Sequence, residues 1–131
     1  MPYTYVQGLQ DIHLGWFLKE QREFQELLCQ AKYNCRVKDL TSEQRNDILK
    51  THVLMLMGER YELLDELNWK AHKKDREVNW EKVREEYVDM FKLVLNFLIY
   101  LDISTEELVQ EFLAKSQVVR ARLAQEFAPQ T

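Results

Sequence analysis

Helix-breaking residues are scarce in this chain, which holds three Gly and two Pro among its 131 residues. Pro2 and Pro129 sit at the ends, and every Gly falls within the first 58 residues, so the stretch from 59 to 127 contains neither. Strands joined by tight Gly turns are thereby disfavoured, and long uninterrupted helices are permitted. Cysteine is equally sparse: Cys29 and Cys35 are too few for a disulfide framework in a chain this long. The residues between them continue a helical pattern, which is expected to hold the thiols too far apart to bridge. Both therefore read as free thiols in a reducing compartment, and Cys29, within an apolar stripe, reads as core. Basic excess is absent too. The formal net charge is -4, which lacks the broad electrostatic footprint of a duplex nucleic-acid binder. No Gly-rich phosphate loop of the Walker type occurs, and His13, His52 and His72 have no metal-ligand spacing with the cysteines. The longest apolar run, near Leu93 to Leu101, is interrupted by Asn96 and is too short to span a bilayer. No charged stretch followed by an apolar one opens the chain as a secretory signal does. These absences lead to the expectation of a cytoplasmic protein with no membrane and no nucleic-acid partner.

What is present is apolar and helical. Hydrophobic residues make up 46% of the chain, enough to build the core of one domain over residues 1 to 131. Four segments carry apolar residues at spacings of three and four. The first covers roughly residues 10 to 33, with Phe17, Phe24, Leu28 and Ala31 on its apolar side. The second opens near Thr41, where Thr41 and Gln44 have capping-box spacing, and ends near Trp69. Residues 70 to 78 (KAHKKDREV) are polar and largely basic and read as a loop. Asn79 can cap a third helix that runs to about Leu101, and Ser104 with Glu107 opens a fourth that runs to about Phe127. Four amphipathic helices with short connections predict an all-α, antiparallel four-helix bundle.

The acidic residues fall in register on the middle two helices. Glu59, Glu62 and Glu66 share one face of the second, and Glu86 and Asp89 share one face of the third. A short connection makes these helices antiparallel neighbours, so the two acidic stripes can face each other at the border of the apolar faces. Facing carboxylates repel and are costly to desolvate, and a bound cation removes that penalty. Mg²⁺ takes hard oxygen ligands and usually shares them with substrate phosphates. Spacing alone is equally compatible with solvated acidic faces.

The order of these pairs carries a family resemblance. Glu59-Arg-Tyr-Glu62, a helix turn and loop, then Glu86-Tyr-Val-Asp89 resembles the ExxE…ExxD signature of the all-α nucleoside triphosphate pyrophosphatases. That superfamily includes the MazG-like proteins, the dimeric dUTPases and phosphoribosyl-ATP pyrophosphatase. GERYELLDELNWK, from Gly58 to Lys70, and REEYVDMFKLVLNF, from Arg84 to Phe97, are similar to the two metal helices of the dimeric dUTPase branch. The resemblance covers about residues 17 to 123. It implies Glu59, Glu62, Glu86 and Asp89 as Mg²⁺ ligands and hydrolysis between the α and β phosphates, giving a nucleoside monophosphate and pyrophosphate. Glu59 is the expected acceptor of the attacking water's proton, with Glu66 as second candidate. Gln21 stands where dUTPases carry a Gln that meets the base. Lys115 and Arg122 match the outer members of a Lys…Asn…Arg pattern whose middle position is Val119 here.

Other candidates join the substrate site on chemical grounds. Lys70, Lys73 and Lys74, with Arg76 nearby, suit a phosphate-clamping loop or a solvated one. Trp69 suits a base stack or a core plug. Asn96, a polar break in an apolar stripe, suits a bond to base or ribose, or a helix cross-link. The expected function is a Mg²⁺-dependent pyrophosphohydrolase of the dUTPase kind, acting on a nucleoside triphosphate as a homodimer or tetramer. The alternatives are a broad-specificity MazG-like dNTP pyrophosphatase and a non-catalytic helical interaction module.

Overall fold

The computed structural model describes residues 13–67 and 77–129 of the chain. Four α-helices account for most of it: α1 (Leu14–Tyr33), α2 (Ser42–Glu66), α3 (Trp80–Tyr100) and α4 (Thr105–Glu126), with a 3₁₀ turn at Val37–Asp39 between the first two. No strand occurs among the described residues, and the fold is all-α. The caps legible in the sequence form. The Thr41 side chain accepts from the Gln44 N–H at 3.1 Å while Gln44 Oε1 accepts from the Thr41 N–H at 2.9 Å, closing the capping box. Asn79 Oδ1 accepts from Lys82 N–H and Ser104 Oγ from Glu107 N–H, each at 3.1 Å. The second helix ends at Glu66, and the basic segment that follows lies outside the described residues.

The helix directions follow from which residues meet. Early α2 meets late α3, with the His52 and Tyr100 rings 5.5 Å apart, while Glu59 of late α2 reaches Glu86 and Asp89 of early α3. These two helices are therefore antiparallel, and they form the most extensive helix pair. Along α1 and α3 the partners advance together: Phe17 with Phe91, Gln21 with Asn96, Gln25 with Tyr100. Those two run parallel, giving an up-down-up arrangement of α1, α2 and α3.

The core lies at one end. Cys29, Val37, Leu40, Ile48, Ile99 and Tyr100 are buried together there, with Leu18, Tyr33, Cys35 and Leu49 packed around them. α4 contributes no buried residue and keeps Val109, Phe112, Leu113, Leu123 and Phe127 exposed.

The cysteines depart from expectation. The helical pattern does not continue from Cys29 to Cys35: α1 stops at Tyr33, and Asn34 takes a left-handed conformation (φ 55°), which Asn tolerates better than most residues. The chain turns back there and sets the Cys35 thiol within interaction range of Cys29. Burial first, and Cys35 second, push the Cys29 thiol up to about 11. Both thiols are free, and Cys29 is core as expected, at 1% exposure.

Candidate functional site

Between α1, α2 and α3 runs a cleft of about 1340 Å³. Its long axis follows the antiparallel pair, and its chemistry changes along the length. Glu59 and Asp89 line one end; Gln21, Asn96 and His52 line the middle; Gln25 and Tyr100 close the other end beside the core.

At the acidic end, one carboxylate oxygen each from Glu59, Glu62 and Glu86 lie within 4.8 Å of one another. Glu86 is buried at 6% exposure, Glu59 is half-buried and Glu62 is exposed. The helical register produces this arrangement. Glu59 and Glu62 are three apart on α2, Glu86 sits on the facing side of α3, and antiparallel packing brings them to one level. Asp89, one turn along α3, stays exposed but is close enough to act on both Glu59 and Glu86. Burial pushes the Glu59 carboxyl above the usual carboxylate range, and the charges of Glu62, Asp89 and Glu86 add to the rise. Glu86 is raised mainly by burial and by Glu62, against the opposing pull of Lys82.

Lys82 is the cation already in place. Its Nζ lies 3.5 Å from Glu86 Oε1 and 3.8 Å from Glu85 Oε2, and Glu66 is near enough to add to its raised pKa. One ammonium does not satisfy the cluster. Glu59 Oε2 and Glu86 Oε2 are both buried without a hydrogen-bond partner. Buried carboxylate oxygens are costly without a donor or a cation. Hard oxygen donors converging with two orphaned atoms fit a divalent cation such as Mg²⁺ or Ca²⁺.

The middle of the cleft is neutral and polar. Gln21 Nε2 donates to Asn96 Oδ1 at 2.7 Å, joining α1 to α3. Tyr100 Oη donates to Gln25 Oε1, also at 2.7 Å, one turn further along both helices. Asn96 is thus a helix cross-link and a cleft-lining group at once, buried at 6% exposure. Apolar walls come from Trp16, Phe17, Phe24, Leu28, Met55 and Phe91.

The structure therefore brings together Glu59, Glu62 and Glu86, sets Asp89 beside them and Glu66 near Lys82, and gathers Gln21 and Asn96 in the same cleft. Lys115 and Arg122 lie exposed on α4 and do not line the cleft. Trp69, Lys70, Lys73, Lys74 and Arg76 lie outside the described residues. Sequence reasoning missed Lys82, Gln25, Tyr100 and His52. Each carries a positional signal: Lys82 is four before Glu86, Gln25 four after Gln21, Tyr100 four after Asn96, and His52 seven before Glu59.

Neither a curated protein nor a solved structure matches the chain. The family model described as dUTPase does match, over residues 13–128. That span contains both acid pairs and the whole cleft, and the chain belongs to the all-α dUTPase family.

Proposed function

We propose that the chain is a Mg²⁺-dependent nucleoside triphosphate pyrophosphohydrolase that cleaves a deoxynucleotide of the dUTP kind to the monophosphate and pyrophosphate. The observation that carries this reading is the convergence of Glu59, Glu62 and Glu86 on one point, with two buried oxygens lacking a partner, at the end of a cleft that can hold a nucleoside. Glu59, Glu62, Glu86 and Asp89 are the residues that would hold the metal. Bound there, Mg²⁺ would neutralise phosphate charge and acidify a water molecule.

The chain's own groups supply the rest. Glu59 borders the cleft with a carboxyl raised above its ordinary range, which suits it to accept a proton from an attacking water. Glu66, near Lys82, is the second candidate for that role. The mostly apolar cleft excludes bulk water from the sugar and base, and Gln21 and Asn96 offer hydrogen bonds within it. Positioning and electrostatics dominate phosphoryl transfer, so such a cleft needs no covalent nucleophile.

The test is a nucleotide panel (dUTP, dCTP, dTTP and the ribonucleotides) with Mg²⁺, read as pyrophosphate release. A narrow dUTP preference supports the reading, and broad turnover assigns the chain to MazG-like activity instead. Glu62→Ala and Asp89→Ala should each abolish Mg²⁺-dependent turnover while preserving helical content. A wild-type chain that folds, and turns over nothing, is an interaction module.

A further inference from the structure

We propose that His52 fixes base choice in the cleft: its Nε2 accepts the ring N–H of a uracil- or thymine-like base and disfavours cytosine. This rests on the nucleotide reading above and assigns a role to a residue outside the acidic cluster.

Register places the ring correctly. His52 lies seven residues before Glu59 on α2, and Asn96 lies seven residues after Asp89 on α3. Seven residues return a helix to nearly the same face about 10 Å along its axis. Because the helices are antiparallel, both steps lead from the acids to one level of the cleft. His52, Asn96 and Gln21 all line the cleft, and the His52 ring lies against Tyr100, one turn beyond Asn96.

Polarity is the deciding property. The amides there are reversible. Gln21 and Asn96 can both rotate by 180° and keep their bond with donor and acceptor exchanged. The Gln25–Tyr100 pair can invert likewise, since a phenol both donates and accepts. These groups adapt to either pyrimidine pattern and reject neither. His52 cannot adapt. Its Nδ1 is 2.8 Å from the Ile48 carbonyl oxygen, which can only accept, so Nδ1 must carry the proton. In the neutral ring Nε2 is then an obligate acceptor. The ring is held against Tyr100 at 5.5 Å, and Nε2 has no hydrogen-bond partner among the described residues. Uracil and thymine present a ring N–H where cytosine presents a lone pair. Against cytosine, two acceptors would meet and neither would be satisfied.

The experiment measures dissociation constants of the full chain by calorimetry for α,β-imido analogues of dUTP and dCTP, with Mg²⁺ present. Wild type should favour the uracil analogue by about tenfold or more, as a site built around one buried hydrogen bond does. His52→Phe keeps the ring against Tyr100 and removes the acceptor; its preference should fall to near unity. Its thermal stabilisation by Mg²⁺ alone should match wild type, because the acids are untouched. His52→Gln, whose amide can turn, should accept both bases and serves where the Phe variant folds poorly. An unchanged preference in a folded variant overturns the assignment of His52 alone. Failure of wild type to bind either analogue overturns the nucleotide reading and this assignment with it.

Discussion

Replacing Glu86 by Gln should stabilise the metal-free protein and abolish its response to Mg²⁺. Glu86 faces Glu59 and Glu62 with oxygens within 4.8 Å, where a pair of unit charges repels by about 3.5 kcal/mol at an effective dielectric of about 20 and about 0.9 in bulk water. Glu86→Gln removes two such repulsions. It forfeits the attraction of Lys82, 3.5 Å away, an ion pair that solvent screens. Because Glu62 is exposed and Glu59 only half-buried, both repulsions lie near the bulk figure, and the net gain without metal is about 1–3 kcal/mol, a rise in melting temperature of about 3–10 °C for a chain of this length. The sign with pH follows from the direction of the shifts. Glu59 and Glu86 are both raised in the folded protein, so their contribution is full below the ordinary carboxylate range and is lost as pH rises through the elevated values. In chelator, wild type should therefore lose stability between mildly acidic and neutral pH, and Glu86→Gln should lose less. Added Mg²⁺ at a hundred times its dissociation constant should return about 2.7 kcal/mol to wild type and almost nothing to the variant. Thermal melts by far-UV circular dichroism, with chelator or Mg²⁺ at two pH values, measure all of this. A variant that melts below wild type in chelator, or that Mg²⁺ stabilises equally, refutes the reasoning.

Three further outcomes follow from individual contacts. Lys82→Met removes the ammonium that competes for Glu86, so Mg²⁺ should bind a few-fold more tightly by calorimetry; weaker binding would make Lys82 a supporting rather than a competing cation. Burial and Cys35 raise the Cys29 thiol to about 11, so iodoacetamide near neutral pH should alkylate Cys35 first, and mass spectrometry showing Cys29 labelled first contradicts the packing. The exposed apolar residues of α4 exceed what a lone soluble helix carries, and sedimentation should find at least a homodimer at micromolar concentration that Phe112→Asp with Leu113→Asp weakens; a wild-type monomer refutes this.

The contrast between what was legible and what was not is local against three-dimensional. Thr41 with Gln44, Asn79 and Ser104 announce helix starts through bonds to backbone two or three residues away, and each forms. The acid register was legible because seven residues separate the ends of the Glu59–Glu66 stripe and antiparallel neighbours follow from a short connection. The end of the first helix at Tyr33 was legible, but the left-handed turn at Asn34 that brings Cys35 back to Cys29 was not, although Asn is among the few non-Gly residues that enter that region readily. Gln21 was read as a base contact, and Asn96 as a bond to base or ribose or as a helix cross-link, with no partner named for the cross-link. That they bond to each other depends on the parallel pairing of α1 with α3, which no local pattern encodes. The apolar stripe of α4 was legible as a stripe, but hydrophobic periodicity does not say whether the surface that covers it belongs to the same chain.

The distribution of burial predicts that the acidic end opens more readily than the core end. On α3, Leu93, Leu95, Asn96, Ile99 and Tyr100 are buried late in the helix, whereas the early half buries only Glu86. On α2 the one buried residue is Ile48, three to four turns before Glu59 and Glu62. Apolar burial therefore secures the end near Cys29 and Ile99, while the opposite end sets raised carboxylates against one another. Local opening free energy follows such differences in buried apolar contact. Backbone amides around Glu59–Glu66 and Lys82–Asp89 should exchange with deuterium faster than those from Leu93 to Tyr100 in chelator. Mg²⁺ should slow the first group and leave the second nearly unchanged, because a ligand protects only the openings that release it. Uniform protection along α3 would mean that the acids cost the fold nothing, and protection that ignores Mg²⁺ would mean that they hold no cation.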